Sequence, residues 1–263
     1  MDAVPTHEER LRTNYSDIGV AVMQAMYSDD YLSIGGIDST NELAKVAGID
    51  EAVRVLDIGC GIGGPMLQLA ESFGCSVTGI DLVESSVDRA RLRSVERGLQ
   101  ELASFEQADA TTLPFGDGAF DVVWGQDAWC HVPNKTAMLV EANRVLRSGG
   151  TIAFTDWLAD TGMSSTEREK ALDAALSATA ASVDQYLTML SDAGFVDIDY
   201  TDISQTFVRQ YQYIWASLHE RRGDLISRFG GRVFDIIADI NGTILRGFEG
   251  GAIGGGRFIA STG

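Results

Sequence analysis

The sequence predicts an α/β fold: a doubly wound, mostly parallel sheet of seven strands with helical lid segments. Three observations predict it. Between residues 53 and 156, short apolar strands alternate with helices of roughly 10–15 residues, the pattern of a parallel sheet. A glycine-rich turn, residues 59–64, joins the first strand to its helix. Helical periodicity fills most of the chain on both sides of this region.

The elements follow in order. Residues 7–28 read as helix, with apolar positions at Ile18, Val22 and Met26. Ser39 or Asp38 caps a second helix that runs through Val46. Residues 53–58 form the first strand, and after the glycine turn a helix spans 65–73. A strand at 76–80 leads into a helix at 85–97, and 103–107 is a short third strand. The fourth strand, 120–124, precedes a helix at 135–146, and Gly149-Gly150 introduce a fifth at 151–155. Helix returns over 164–192, then a strand at 195–200, helix over 205–247 and a last strand at 257–260. We read one unit over 1–263: a helical lid at 1–50, a ligand-binding core at 51–156, and cap helices with the last strands at 157–263. Sheets of this kind bind ligands outside the carboxyl ends of their strands, near the point where strand order reverses.

Composition narrows the function. Hydrophobic residues make up 45% of the 263, enough to bury a core. No apolar run approaches the ~20 residues that span a bilayer. Residues 1–12 are polar and acidic, unlike a signal peptide, so the expected compartment is the cytoplasm. The charge is −18, and the longest basic run is Arg221-Arg222, which disfavours nucleic acid and anionic membranes as partners. Lysine occurs only at 45, 135 and 170. An acidic, lysine-poor surface suits a salt-rich cytoplasm, where screening removes self-repulsion, and equally an ordinary acidic protein from a GC-rich genome. Cys60, Cys75 and Cys130 lack metal-ligand spacing and read as small buried residues, so no metal is expected.

The glycine turn carries the first chemistry. Its glycines let backbone approach a ligand, and the helix beyond offers free N–H groups. Alone it also satisfies the G-x-G-x-x-G dinucleotide pattern, with Asp81 placed for ribose hydroxyls. Asp57, two residues before the first glycine, argues otherwise: a carboxylate there suits a ligand's cationic amino group and repels a pyrophosphate. Asp109-Ala110 follows the third strand, where an acid can accept from an adenine amino group.

The runs VLDIGCGIGG, GIDL, ADATTLPF, FDVVW and RVLRSGG, in this order over roughly 53–156, resemble the motif series of class I S-adenosylmethionine methyltransferases. The resemblance implies that S-adenosylmethionine is the cofactor and S-adenosylhomocysteine the product. It implies that Asp57, Gly59 and Gly61 meet the methionine end, and that Asp81 binds the ribose with Leu82 beside the adenine. Asp109 and the Ala110 N–H read the adenine edge, and Gln126 joins the cofactor set. Loop capping is the alternative role for Asp81 and Asp109.

Outside the core, NYSDIGVAVMQAMYSDDYLSIGG at 14–36 resembles the N-terminal segment of phosphoethanolamine methyltransferases. GQDAWCHVPNK at 125–135 resembles the sarcosine and dimethylglycine N-methyltransferases that make glycine betaine. Both families methylate a small amine stepwise. The resemblance implies that Tyr15 pairs with His131, that Asp127 lies near the amine, and that Leu32 and Ser33 fold over the cofactor. It makes His131 the base, Asp127 the holder of the ammonium and Tyr15 the residue closing the lid. His7 and His219 read as structural. The phosphoethanolamine family holds its phosphate with two tyrosines and an arginine. Here Trp157 stands for one tyrosine, and residues 174–186 contain no arginine. Trp157 reads either as an aromatic wall facing a methylated ammonium or as a core residue. Arg168, Arg209, Arg246 and Arg257 are the candidates for a substrate carboxylate. The expectation is a small-molecule N-methyltransferase acting on sarcosine or dimethylglycine, as monomer or homodimer. Phosphoethanolamine, another small metabolite, or cofactor binding without turnover are the alternatives.

Overall fold

The alternation that begins near residue 53 forms a parallel sheet wound in both directions. The computed structural model describes residues 5–26, 31–159, 165–177 and 179–263. Residues 27–28 of the expected first helix, 27–30 of the 14–36 segment, and residues 164 and 178 of the expected helix at 164–192 lie outside the described residues. The strands are β1 (Arg54–Ile58), β2 (Ser76–Asp81), β3 (Ala103–Gln107), β4 (Phe120–Gln126), β5 (Leu146–Ala159), β6 (Phe195–Asp202) and β7 (Ile253–Thr262). Their order is β3-β2-β1-β4-β5-β7-β6. All neighbours are parallel through β5, and β7 runs antiparallel to β5 and β6. Strand order reverses between β1 and β4, so the crevice beyond their carboxyl ends is the expected binding place.

The helices are α1 (His7–Asn14), α2 (Asp17–Met26), α3 (Gly36–Ala47), α4 (Gly64–Phe73), α5 (Glu84–Glu96) and α6 (Lys135–Val145). They continue as α7 (Ser165–Ala174), α8 (Val183–Asp192), α9 (Ser204–Glu220), α10 (Arg222–Phe229) and α11 (Gly231–Glu249). A single 3-10 turn, Trp129–His131, follows β4. Alternating side chains send the strands' apolar surface to both faces. Leu56, Ile58, Val123 and Phe154 pack with α6 and α8, while Val55, Val122, Trp124 and Ala153 pack with α3, α4 and α5. These side chains are at most 3% exposed, and each valine, leucine, isoleucine and phenylalanine among them contributes ~1.5–3 kcal/mol by leaving water.

Several boundaries differ from the sequence expectation. The first helix breaks at Tyr15-Ser16. The helix expected to start at Asp38 or Ser39 begins at Gly36. Gly35, at φ 82°, supplies the turn without any side-chain cap. The described residues of 164–192 form two helices, and Ser182 opens α8 with a capping box closed by Gln185. The long helix at 205–247 is three, broken at Arg221 and Gly230.

The last strand is ten residues rather than four, and it pairs with β5 from Thr151 to Ala159. Its run Gly254-Gly255-Gly256 hid it, since glycine is poor in strands. The reason is packing: a Cβ at Gly255 would lie 2.8 Å from the Phe207 ring, so glycine lets α9 sit on the sheet.

The two predicted lids are one body. Val22, Ala25 and Met26 of α2 share an apolar cluster with Ile214, Leu218, Leu225, Phe234 and Ile237 of α9–α11. Among the described residues no helix is long and apolar enough to cross a membrane. The three cysteines are buried thiols.

Candidate active site

A cavity of about 640 Å³ opens beyond the carboxyl ends of β1 and β4, within the range of small-molecule sites. Asp57, Gly59 and Gly61 line it from β1 and its loop, Asp81 and Leu82 from β2, and Asp109 and Ala110 from the turn after β3. Gln126 and Asp127 come from the end of β4, His131 from the 3-10 turn, and Tyr15, Leu32 and Ser33 from the N-terminal lid. The fold thus gathers every predicted site residue except Trp157.

The loop after β1 depends on Gly59. Its φ is 85°, and a Cβ there would lie 2.6 Å from the Ala128 Cβ. Gly59→Ala is expected to lower stability by about 1–3 kcal/mol, read by thermal unfolding. It should also weaken cofactor binding, because Ala128 would have to move and carries Asp127 beside it. Above Gly61 a Cβ would meet only the Leu32 side chain, at 3.5 Å, so this face of the loop looks into the cavity. The Gly61 N–H donates to Asp81 Oδ2 and the Val83 N–H to Oδ1, both at 2.9 Å. Asp81 thereby ties the loop to β2.

Asp57 is 2% exposed, and burial, then the neighbouring Asp81 charge, hold its carboxyl well above the usual range. Its Oδ1 has no hydrogen-bond partner among the described residues. A buried acceptor without a donor costs ~1–3 kcal/mol, which a ligand's ammonium would relieve. Gln126 repeats the pattern: Oε1 accepts from the Thr40 hydroxyl at 2.9 Å while Nε2 is unpartnered among the described residues. Ser33 Oγ is a third such atom. These orphaned groups around a glycine cradle fit a polar cationic cofactor. Asp109 is exposed, and its Oδ1 accepts from both the N–H and hydroxyl of Thr111 at 2.8 Å. It therefore shapes its own loop whatever it does for a ligand.

Tyr15, His131 and Asp127 meet on the lid side. The His131 Nδ1 faces the Leu176 carbonyl at 3.0 Å, which calls for a proton on Nδ1. Nε2 is left as an acceptor for the Tyr15 hydroxyl at 3.2 Å. Burial pulls the imidazole down to about 4, so it is neutral at physiological pH. Asp127 sits at φ 58°, a strained position that its contacts offset. Oδ1 accepts from the Thr155 hydroxyl at 2.7 Å and Oδ2 from the Ile34 N–H at 2.8 Å. Burial pushes its carboxyl up to about 7, against the pull of those two donors. Asp127 therefore latches the N-terminal lid as well as facing the cavity.

Trp157 is 7% exposed and packs against Phe207, Tyr211 and Phe248, with ring centroids 6.3, 5.7 and 5.1 Å away. It is a core residue of the cap and does not line the cavity, which corrects the aromatic-wall expectation. None of Arg168, Arg209, Arg246 and Arg257 lines the cavity either; among the described residues its one guanidinium is Arg12, bonded to Glu8 at 2.8 Å.

Sequence reasoning missed a buried polar network beneath the His131 loop. Asp156 is 0% exposed and accepts from the Cys130 N–H at 2.9 Å and the Tyr186 hydroxyl at 2.5 Å. Lys135, 5% exposed, donates to the carbonyls of Val132 at 3.0 Å and Thr179 at 2.6 Å. No motif announces these residues. A lysine at the start of a helix reads as surface, and its one signal was rarity. His7 was also undervalued: its Nε2 donates to the His131 carbonyl at 3.2 Å, and it lines the cavity. Among the described residues no group of three His, Cys, Asp or Glu is placed to hold a metal.

Comparison with known proteins gives the family. A family model described as "Methyltransferase domain" matches residues 56–154. The chain is 33% identical over 205 residues to a sarcosine/dimethylglycine N-methyltransferase of Halorhodospira halochloris, covering 76% of this chain and 73% of that protein. It is 29% identical over 230 residues to phosphoethanolamine N-methyltransferase 1 of Zea mays, covering 86% of this chain and 44% of that one. The chain therefore spans under half the length of the maize relative. The solved Haemonchus contortus phosphoethanolamine N-methyltransferase 2, in complex with phosphomonomethylethanolamine and S-adenosylhomocysteine, superposes with a TM-score of 0.91. Its identity is 22%, over 98% of this chain and 60% of that one, which establishes the fold alone.

Proposed function

The chain belongs to the class I S-adenosylmethionine-dependent methyltransferases, and we propose that within them it methylates a small amine stepwise at nitrogen, with sarcosine and dimethylglycine as acceptors on the way to glycine betaine. The observation that carries the reading is the meeting of Tyr15, His131 and Asp127 in the cavity of the glycine loop. A phosphate-bearing acceptor needs cationic or multiple donor partners, and among the described residues Arg12, already paired to Glu8, is the only guanidinium or lysine on the cavity. This favours the amino acid over phosphoethanolamine. A cytoplasmic place in betaine formation belongs to the same reading.

When bound, S-adenosylmethionine supplies a methyl group on a cationic sulfur, open to in-line displacement by a nitrogen lone pair. Asp57 would hold the methionine ammonium with its orphaned Oδ1, and Asp81 and Asp109 would take the ribose and adenine. Tyr15, Leu32 and Ser33, on the N-terminal lid, exclude water. Positioning of this kind is worth up to ~7–11 kcal/mol. Asp127 attracts the incoming ammonium, and His131 Nε2 receives the proton that frees its lone pair. The low basicity of His131 does not forbid this. An ammonium beside it is destabilised by the same burial, and moving a proton from one cation to form another leaves the desolvation nearly unchanged. Asp127 is a fitting final acceptor, since transfer to it neutralises two charges.

The test is labelled S-adenosylmethionine with glycine, sarcosine, dimethylglycine and phosphoethanolamine as acceptors. Label should pass to sarcosine and dimethylglycine. Transfer to none of the amines, with cofactor binding retained, would sink the proposal, and preference for phosphoethanolamine would reassign the acceptor.

A further inference from the structure

A second cavity, of about 220 Å³, lies among α3, α9 and the strands β5 and β7, and it shares no lining residue with the first. Its charges are sorted by element. Arg209 of α9 and Arg257 of β7 supply the cationic side, and Asp38 and Glu42, one turn apart on α3, the anionic side. The sides do not neutralise each other. Arg209 donates to the Thr206 hydroxyl at 3.0 Å and Arg257 to the Thr201 hydroxyl at 3.3 Å, and neither is in an ion pair among the described residues. In a chain with 38 acidic and only 20 basic residues, two guanidiniums without a carboxylate partner on one small cavity run against the charge balance. Guanidinium groups are suited to forked recognition of a carboxylate.

We propose that this cavity is a second binding site, for a small zwitterion whose carboxylate meets Arg209 and Arg257 and whose ammonium meets Asp38 and Glu42. A lone anion would leave the α3 carboxylates repelling it, and a lone cation would face the arginines. The placement gives the site a route to the first. Thr155, 3% exposed, and Gly35 border the cavity. The Thr155 hydroxyl donates to Asp127, and Ile34, beside Gly35, gives Asp127 its N–H. A ligand here abuts Thr155, one of the two partners that hold Asp127, and Gly35, the chain neighbour of the other. The proposal stands on the charges of this cavity and not on the acceptor of methyl transfer.

Calorimetric titration of the full chain, saturated with S-adenosylhomocysteine, tests it with glycine betaine, whose quaternary nitrogen is closed to methylation. Binding should weaken on the order of 10- to 100-fold in the double variant R209Q/R257Q, the loss of charge-assisted hydrogen bonds. It should weaken likewise in D38N/E42Q, and stay unchanged in H131A. Acetate and choline, with one charge each, should bind more weakly than betaine. The proposal is overturned by no binding, by binding that H131A removes, by binding that neither double variant alters, or by inorganic phosphate binding more tightly than betaine. The replaced side chains lie at the surface or half-buried, and circular dichroism verifies that each variant is folded.

Discussion

Replacing His131 by Ala is expected to lower kcat by about 10²–10⁴-fold, the range for loss of a positioned proton acceptor. Cofactor affinity should stay within about twofold, because the lost group acts at the acceptor. The structure narrows the cause. The Leu176 carbonyl fixes the proton on Nδ1, so the Nε2 lone pair is the group that deletion removes. With the imidazole pulled down to about 4 by burial, wild-type His131 stays neutral at every pH above 5, and its own titration sets no limb there. The variant must instead draw on amine already deprotonated in solution. Its rate should climb about tenfold per pH unit below a lysine-like amine pKa near 10.4, so the defect shrinks as pH rises. A merely structural histidine would give a pH-independent defect. Stability has its own sign. The depressed His131 contributes stability above pH 6.5 that is lost as pH falls toward 4, and H131A should flatten that loss. Undiminished turnover in H131A would move the proton to Asp127, whose carboxyl is raised to about 7.

The glycine-loop half of this cavity was legible in the chain because it is local. Asp57, Gly59, Gly61, Asp81, Asp109 and Ala110 lie within turns at strand ends, where spacing alone decides where a side chain arrives. The sheet was legible for the same reason, period two alternating with period 3.6. The misreadings are long-range. Trp157, two residues past the strand read at 151–155, lies within β5, and α9 and α11 cover it with Phe207, Tyr211 and Phe248, a contact that no local pattern encodes. Thr155 was read as the last residue of a strand, and its hydroxyl proves to hold Asp127 across the sheet. The strand at Ile253–Thr262 was under-read because its glycines serve a neighbour's ring rather than the strand itself. His7 gains its place only through the lid's return onto the 3-10 turn.

Lys135→Met is expected to destabilise the protein by about 3–5 kcal/mol, the cost of leaving two carbonyls without their donor and the buried Asp156 without the cation near it. For a chain of this size that lowers Tm by roughly 6–20 °C. The Lys135 ammonium satisfies the Val132 and Thr179 carbonyls and acts on the buried Asp156 through space, without a direct ion pair. Burial outweighs this pair's attraction on both sides: the Asp156 carboxyl is raised and the Lys135 amine lowered. The pair is therefore an expensive way to fasten the chain, and its value lies in what it fastens. Asp156 holds the Cys130 N–H, Thr179 holds the Cys130 carbonyl at 2.6 Å, and Lys135 holds Val132, the two residues that flank His131. A double variant separates charge from shape. In K135M/D156N the amide oxygen still accepts from Cys130 and the amide N–H turns to the Tyr186 oxygen, so no charge is buried. Its stability should exceed that of K135M alone, a coupling that additive losses would refute. The pH dependence has a definite sign. With a raised Asp156, K135M retains stability at low pH and loses it as pH rises through the folded-state value, so its deficit should narrow on acidification. A deficit that deepens in acid, or a double variant no better than the single one, would show that Lys135 contributes hydrogen bonds and not the balancing charge. Because the network seats the loop rather than touching substrate, the surviving folded fraction of K135M/D156N should also lose kcat more than cofactor affinity, in the same direction as H131A and by a smaller factor.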